Sequence, residues 1–304
     1  MKKILAPALL LLASIIWGFA FPMQKMIEAV PPMAVIAIRS LIASVVLFPM
    51  VFLFDRLQKN NRTFVSRRGL DFTRYELIGG SLIGLIYGIA SAVQQMGLTE
   101  GTDGGKGAFI SALYVVIVPL LGLLLGKKIR PVVWCAIGLS VLGFYLLCVK
   151  GDFTMTVGDL LILLCALLFA FHILVVDHFS PRCDSLRIAL IQFVSSTVVM
   201  SALSLIFEGP ADFSVVLSCA LPLIYLGVAS SGIAYTLQII GQKGTPPAVS
   251  SILLSLESVF GAVGSALLLG EKMSLREGVG CAIVFLAVLL ANSRIQRKPR
   301  QKNN

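Results

Sequence analysis

The sequence predicts an all-α integral membrane protein: ten transmembrane helices in two inverted five-helix repeats, with N- and C-termini cytoplasmic. Composition, ten apolar runs and an internal correspondence between the two halves predict it. The 304 residues are 57% hydrophobic and 13% charged, against about 45–50% apolar and about 25% charged in a soluble domain. Mean hydropathy is +0.93, so the solvent of most of the surface is lipid. Ten spans of about 20 residues use roughly 200 positions, which leaves loops but no separate soluble domain. A water-soluble enzyme, a disordered chain and a nucleic-acid module are excluded.

The apolar runs fall at 4–24, 31–54, 75–97, 104–126, 129–149, 157–177, 185–207, 216–238, 247–269 and 275–293. The first follows Lys2 and Lys3, as a signal peptide would. Trp17, Phe19 and Phe21 occupy the place where a cleavage site needs small residues, so a retained span is expected. The loops then decide orientation, because lysine and arginine concentrate on the cytoplasmic side. With the N-terminus inside, 19 of the 25 basic residues fall on cytoplasmic segments and 5 on outer ones, with Arg39 inside a span. The net charge of +10 is therefore a topology signal and needs no nucleic acid.

The second half repeats the first. At an offset of 144 residues, Gly88-Ile89-Ala90 falls on Gly232-Ile233-Ala234, Gln94 on Gln238 and Ser111 on Ser255. On the same offset Leu123-Leu124-Leu125-Gly126 falls on Leu267-Leu268-Leu269-Gly270. At 152, Trp17-Gly18-Phe19 falls on Phe169-Ala170-Phe171. The first repeat is read as 4–150, the second as 157–293, and 294–304 as a basic cytoplasmic tail. Five spans per repeat force the second to enter the membrane from the opposite face. Inverted repeats of this kind build alternating-access transporters, whose solute site lies near the midplane between the halves.

Five segments carry a resemblance. They are Trp17-Gly18-Phe19-Ala20-Phe21, Ala37-Ile38-Arg39-Ser40-Leu41, the run Gly107 to Leu121, Leu254 to Phe260, and Leu267-Leu268-Leu269-Gly270-Glu271. Together they resemble the drug/metabolite transporter superfamily, in particular its EamA-type branch of two repeats and ten helices. The resemblance implies secondary, ATP-independent transport of a small amphipathic metabolite, amino acid or drug-like solute, and efflux is the expected direction. Two departures stand out. Ser258 follows Glu257 where the family has proline, which predicts a straighter ninth span. Lys127 follows Gly126 where the fourth span of the family ends in glycine–glutamate.

Polar residues within spans face protein or a water-filled cavity, because lipid satisfies none of them. Tyr87, Ser91 and Gln94 share one helical face, and Ser231, Tyr235 and Gln238 are their counterparts. Ser251, Ser255 and Ser258 share another face, matched by Gly107, Ser111 and Tyr114. Such stripes either line a cavity or glue helices together. Glu257 lies about eleven residues into the ninth span, roughly 16 Å deep and close to the midplane. It is a candidate to carry a coupling proton or to grip a substrate amine; otherwise it is a paired strut. Arg39 either holds a substrate carboxylate or snorkels while fixing helix packing. His172 is a second proton-coupling candidate or a satisfied core histidine. Trp17 walls the solute site or belongs to an interfacial belt. The expected substrate-binding set is therefore Trp17, Gln94, Ser111, Tyr114, Tyr235, Gln238, Ser255, Glu257 and Ser258.

Gly84 and Gly88 form a GxxxG pair that permits close helix approach. Gly101-Thr102-Asp103-Gly104-Gly105 lacks the spacing of a phosphate loop and reads as an outer turn. Six cysteines without a CxxC pair and two histidines give no metal site. No cofactor and no catalytic residue is expected; the partners are the bilayer and a small solute, with a homodimer left open. The alternatives are a passive channel or an integral-membrane lipid-modifying enzyme. The latter needs a nucleophile with a base, yet Asp152, Asp159, His172 and His178 have no partner at a motif spacing. The inner (plasma) membrane is the expected location.

Overall fold

A computed structural model of the chain describes residues 2–57, 71–102, 104–149, 155–269 and 273–292. The basic stretch 58–70, Asp103, Asp152, Glu271 and the tail 294–304 lie outside the described residues. All regular structure among the described residues is helical. In chain order it comprises α1 (Lys2–Lys25), α2 (Pro32–Leu57), α3 (Arg74–Thr99), α4 (Gly104–Ala112), α5 (Tyr114–Leu124), α6 (Pro131–Cys148) and α7 (Val157–Phe179). Then come α8 (Ser185–Phe207), α9 (Phe213–Ser218), α10 (Ala220–Tyr225), a π-helical segment (Leu226–Ala234), α11 (Tyr235–Gln242), α12 (Pro247–Leu254), α13 (Glu257–Leu269) and α14 (Leu275–Asn292). Eight stretches of helix are long and apolar enough to cross a membrane. The outward faces carry Val45, Phe48, Val198, Leu205, Ile206 and Leu124, all strongly exposed. An apolar surface of that extent is matched only by lipid. The protein is a multi-pass membrane protein.

Three predicted spans are interrupted. The fourth breaks at Leu113, where hydrogen bonds tighten to three residues (Leu113 N to Ile110 O, 3.1 Å; Val116 N to Leu113 O, 2.9 Å). The eighth starts at Ala220 and runs to Gln242, four residues later than its apolar run. Pro222 has no N–H to give the carbonyl of Ser218, and the chain breaks at Cys219 between α9 and α10. The ninth was expected to be straighter for want of a proline, and that expectation is corrected: α12 ends at Leu254 and α13 begins at Glu257. Serine supplies the break instead. The hydroxyl of Ser255 donates back to Ile252 O at 2.9 Å, while Leu256 N reaches Leu253 O at 3.4 Å. Short hydroxyl side chains compete with the helical ladder in just this way.

Helix ends are capped by residues that also set the packing. Thr73 and Glu76 form a capping box on α3, with Thr73 N donating to Glu76 Oε2 at 2.8 Å and Glu76 N to Thr73 Oγ1 at 2.9 Å. The other oxygen of Glu76 accepts from Asp184 N at 3.3 Å, tying this end to the start of α8. Asp159, a candidate acid from the sequence, serves the capping box of α7 with Thr156. Beside this corner, Lys243 Nζ donates to Cys183 O at 2.7 Å. Burial lowers the pKa of Lys243, an effect opposed by the nearby Asp184 carboxylate. At the far end of α7, Asp177 forms an ion pair with Lys127, from the turn after α5.

The start of α2 has a long-range cap. Glu208, just past α8, accepts from Met33 N at 2.8 Å and from Ala34 N at 3.0 Å. Replacing Glu208 by Ala leaves those two donors without their carboxylate and loses its favourable charge at a helix N-terminus. The expected cost is about 1–2 kcal/mol, read as a lower thermal midpoint in detergent with unchanged helicity.

The helices of the two halves pack on each other. α1 lies against α11, α12 and α13; α3 lies against α7 and α8; α2 lies against α8 and the π segment; α6 lies along α14. Close approach depends on glycine at two of these crossings. A Cβ on Gly84 would stand 2.2 Å from Gln192 O across α3 and α8, and one on Gly18 would stand 2.3 Å from Phe260 Cβ across α1 and α13.

Candidate functional site

The crossings leave a narrow cavity of about 60 Å³ near the middle of the helices. Ligand pockets usually hold about 300–1,000 Å³, so this shape grips a small group and must widen for a whole metabolite. Its wall is drawn from both halves of the chain. α1 supplies Trp17, Phe21 and Gln24, α2 supplies Arg39, α3 supplies Ser91 and Gln94, and α5 supplies Tyr114. Facing them are Phe169 and His172 of α7, Ser230 of the π segment, Tyr235 and Gln238 of α11, and Glu257 of α13.

An aromatic cluster centres on Tyr235. Its ring lies 4.6 Å from Trp17, 4.8 Å from Tyr87, 5.6 Å from His172 and 5.8 Å from Phe193, measured between centroids. Tilted and edge-on contacts at these separations are the favourable aromatic geometries. Trp17 anchors itself by donating Nε1–H to Ser230 O at 3.0 Å. It is therefore part of the cavity wall and not of an interfacial belt.

The π segment is what turns two serines toward α2. Widened turns of this kind interrupt α-helices and are frequent at functional sites. Here Arg39 donates Nε–H to Ser231 Oγ and an Nη2–H to Ser230 Oγ, both at 2.9 Å. Tyr87 OH lies 3.2 Å from Ser231 Oγ, and the Tyr87 ring sits 6.0 Å from the guanidinium carbon. Arg39 is 3% exposed, so it does not snorkel: its stem and head both stay inside the protein.

The two broken helices meet across the halves. Tyr114 is the first residue of α5 and Glu257 the first of α13, and Tyr114 OH donates to Glu257 Oε1 at 3.1 Å. Each break thus delivers its first helical side chain to the same point. His172 Nε2 and Gln238 Oε1 are buried in this wall and find no protein partner. A buried polar atom left unpaired carries a desolvation cost that a bound solute or water relieves.

Of the residues expected from the sequence, Trp17, Arg39, Gln94, Tyr114, His172, Tyr235, Gln238 and Glu257 line the cavity. Ser111, Ser255 and Ser258 do not. Ser111 Oγ accepts from Gln94 Nε2 at 3.4 Å, behind the wall. Ser255 bonds within its own turn, and Ser258 Oγ donates to Ala108 O at 3.5 Å. Their shared face presumes a straight helix, and the break at 255–256 removes it. Sequence reasoning passed over Gln24 and Ser230. Gln24 lies one helical turn beyond Ala20 and Phe21, a signal the first span did carry; Ser230 is brought in only by the π turn.

A second cavity, of about 350 Å³, lies at the other end of α5. Lys127, Lys128 and Arg130 stand on its rim, and Val118, Pro119, Val133, Pro247 and Val249 form its apolar wall. It opens between α5 and α6 of one half and α12 and α14 of the other.

Comparison with known proteins adds three findings. The model of the EamA-like transporter family matches residues 4–149 and again 156–293. A protein of Archaeoglobus fulgidus named "Uncharacterized transporter" is 27% identical over 298 residues, covering 97% of this chain and 88% of the relative. A solved structure described as "Crystal structure of protein" superposes with a TM-score of 0.75 at 17% identity, over 96% of this chain and 99% of that one. This last likeness concerns the fold alone.

Proposed function

The chain belongs to the EamA-like transporter family and is a membrane transporter, and on that premise we propose that it carries a small amphipathic solute by alternating access. The observation that carries this reading is the central cavity, walled by both halves and holding buried polar atoms without partners. A metabolite, an amino acid or a drug-like molecule fits the mixture of aromatic, amide and charged groups.

Ten spans belong to this proposal. α6 and α14 each have 18 residues, about 27 Å of helix against about 30 Å of hydrocarbon, and they pack along each other. We read them as the fifth and tenth spans, which puts both termini on one face; the basic loops make that face cytoplasmic, in the inner (plasma) membrane. The long-range cap of Glu208 supports inversion of the repeats. α2 and α8 are counterparts at the offset of 152, and the start of α2 meets the end of α8. The segments 4–150 and 157–293 then act as two units that rock against one another. Rocking opens the cavity first toward the basic vestibule at the end of α5 and then toward the opposite face.

Export is the proposed direction. A proton taken up outside by Glu257 and released inside would drive solute outward, since protons run inward down their gradient. His172 stands in the same wall as a second carrier of that proton.

Exchange in reconstituted vesicles tests the function. Vesicles loaded with a mixture of unlabelled metabolites should accumulate one labelled solute transiently, with saturation and without ATP. Flux that rises linearly with concentration would make the protein a channel, and conversion of the solute or of lipid would make it an enzyme.

A further inference from the structure

This inference rests on the carrier reading above and names the chemistry of its solute. Two opposite charges face the central cavity, and neither meets a counterion. Arg39 is satisfied by the hydroxyls of Ser230 and Ser231, which are neutral. No carboxylate pairs with it among the described residues. Glu257 receives one hydrogen bond, from the Tyr114 hydroxyl, and no cation. Hydroxyls solvate a buried charge without neutralising it, and charges at membrane depth are ordinarily paired with one another. Placing one of each sign on one cavity, each already oriented by its neighbours, leaves two unfilled electrostatic positions.

A solute with a single charge would balance one position and strand the other. A solute with both charges balances both, and the loaded cavity gains no net charge as it crosses the low-dielectric interior. The space between the positions is aromatic: Trp17 and Tyr235 stack at 4.6 Å, and Phe169 stands on the same wall. We propose that the solute is a zwitterion with an apolar or aromatic side group, its anionic end on Arg39 and its cationic end on Glu257. The unpartnered His172 Nε2 and Gln238 Oε1 face the same space and offer it further hydrogen bonds.

Three probes of one shape separate the charges: L-phenylalanine, 2-phenylethylamine and 3-phenylpropionate. Their binding to the full chain in lipid nanodiscs is read by tryptophan fluorescence. The zwitterion should bind at least about tenfold more tightly than either analogue, a difference of about 1.4 kcal/mol. Glu257→Gln should bring phenylalanine down to the level of phenylpropionate, and Arg39→Gln should bring it down to that of phenylethylamine. The wild-type comparison and the Glu257→Gln arm stand even if Arg39→Gln does not fold. A singly charged probe that matches phenylalanine, or failure of phenylalanine to bind at millimolar concentration, overturns the proposal. The carrier reading fails by a different result, the absence of saturable exchange of any solute, so the two are judged separately.

Discussion

Replacing Glu257 by Gln should reduce solute exchange at least about tenfold, about 1.4 kcal/mol of lost interaction, while leaving the folded protein almost as stable as before. The substitution keeps the shape of the side chain. Tyr114 OH can still donate to the amide oxygen as it does to Glu257 Oε1 at 3.1 Å, so the tie between the two helix breaks survives. What disappears is the negative charge at the cavity wall and the group able to exchange a proton. A pair of measurements separates the two consequences. Exchange rate in vesicles should collapse, and the thermal midpoint in detergent should stay within a couple of degrees. A large drop in both would make Glu257 a strut between halves and remove it from the transport chemistry.

The largest effect on stability is expected at Gly84. Any side chain there meets backbone, because a Cβ would stand 2.2 Å from Gln192 O and 2.9 Å from Gln192 C. A flexible neighbour could rotate away; a carbonyl in the middle of α8 cannot. Gly84→Ala therefore forces α3 and α8 apart along their whole crossing and should cost about 3 kcal/mol, at the upper end of overpacking. Gly138 provides the control, since a Cβ there meets nothing within 4 Å. Gly138→Ala should be neutral or stabilise by up to about 1 kcal/mol through helix propensity. If the two variants melt alike, close approach of α3 and α8 does not hold the halves together.

The sequence revealed the uninterrupted spans well, because lipid imposes one rule on all of them: about 20 apolar residues bounded by charge. α1, α2, α3, α7 and α8 lie within a few residues of their apolar runs. The breaks were not legible. Leu113 and Leu256 sit inside continuous apolar sequence, and a hydropathy pattern has no term for a helix that tightens for one turn. That is why Ser255 and Ser258 were expected in the cavity and are found serving the break instead. The charged centre was legible for the opposite reason. A carboxylate or guanidinium at membrane depth is rare enough to mark itself, and Glu257 and Arg39 do converge on one cavity. Ser230 and Ser231 escaped because their joint service to Arg39 depends on a π turn, which is a tertiary choice of the backbone and not a residue pattern.

The central claim is that one cavity between the halves communicates with each side of the membrane in turn. Access to position 94 tests it most directly, since Gln94 lies on the cavity wall. On a background with the native cysteines replaced, Gln94→Cys is exposed to a membrane-impermeant thiol reagent in right-side-out and in inside-out vesicles. The account predicts labelling from both faces, slowed in each case by a solute that exchanges. Labelling from one face alone, in every condition and with or without solute, would contradict it.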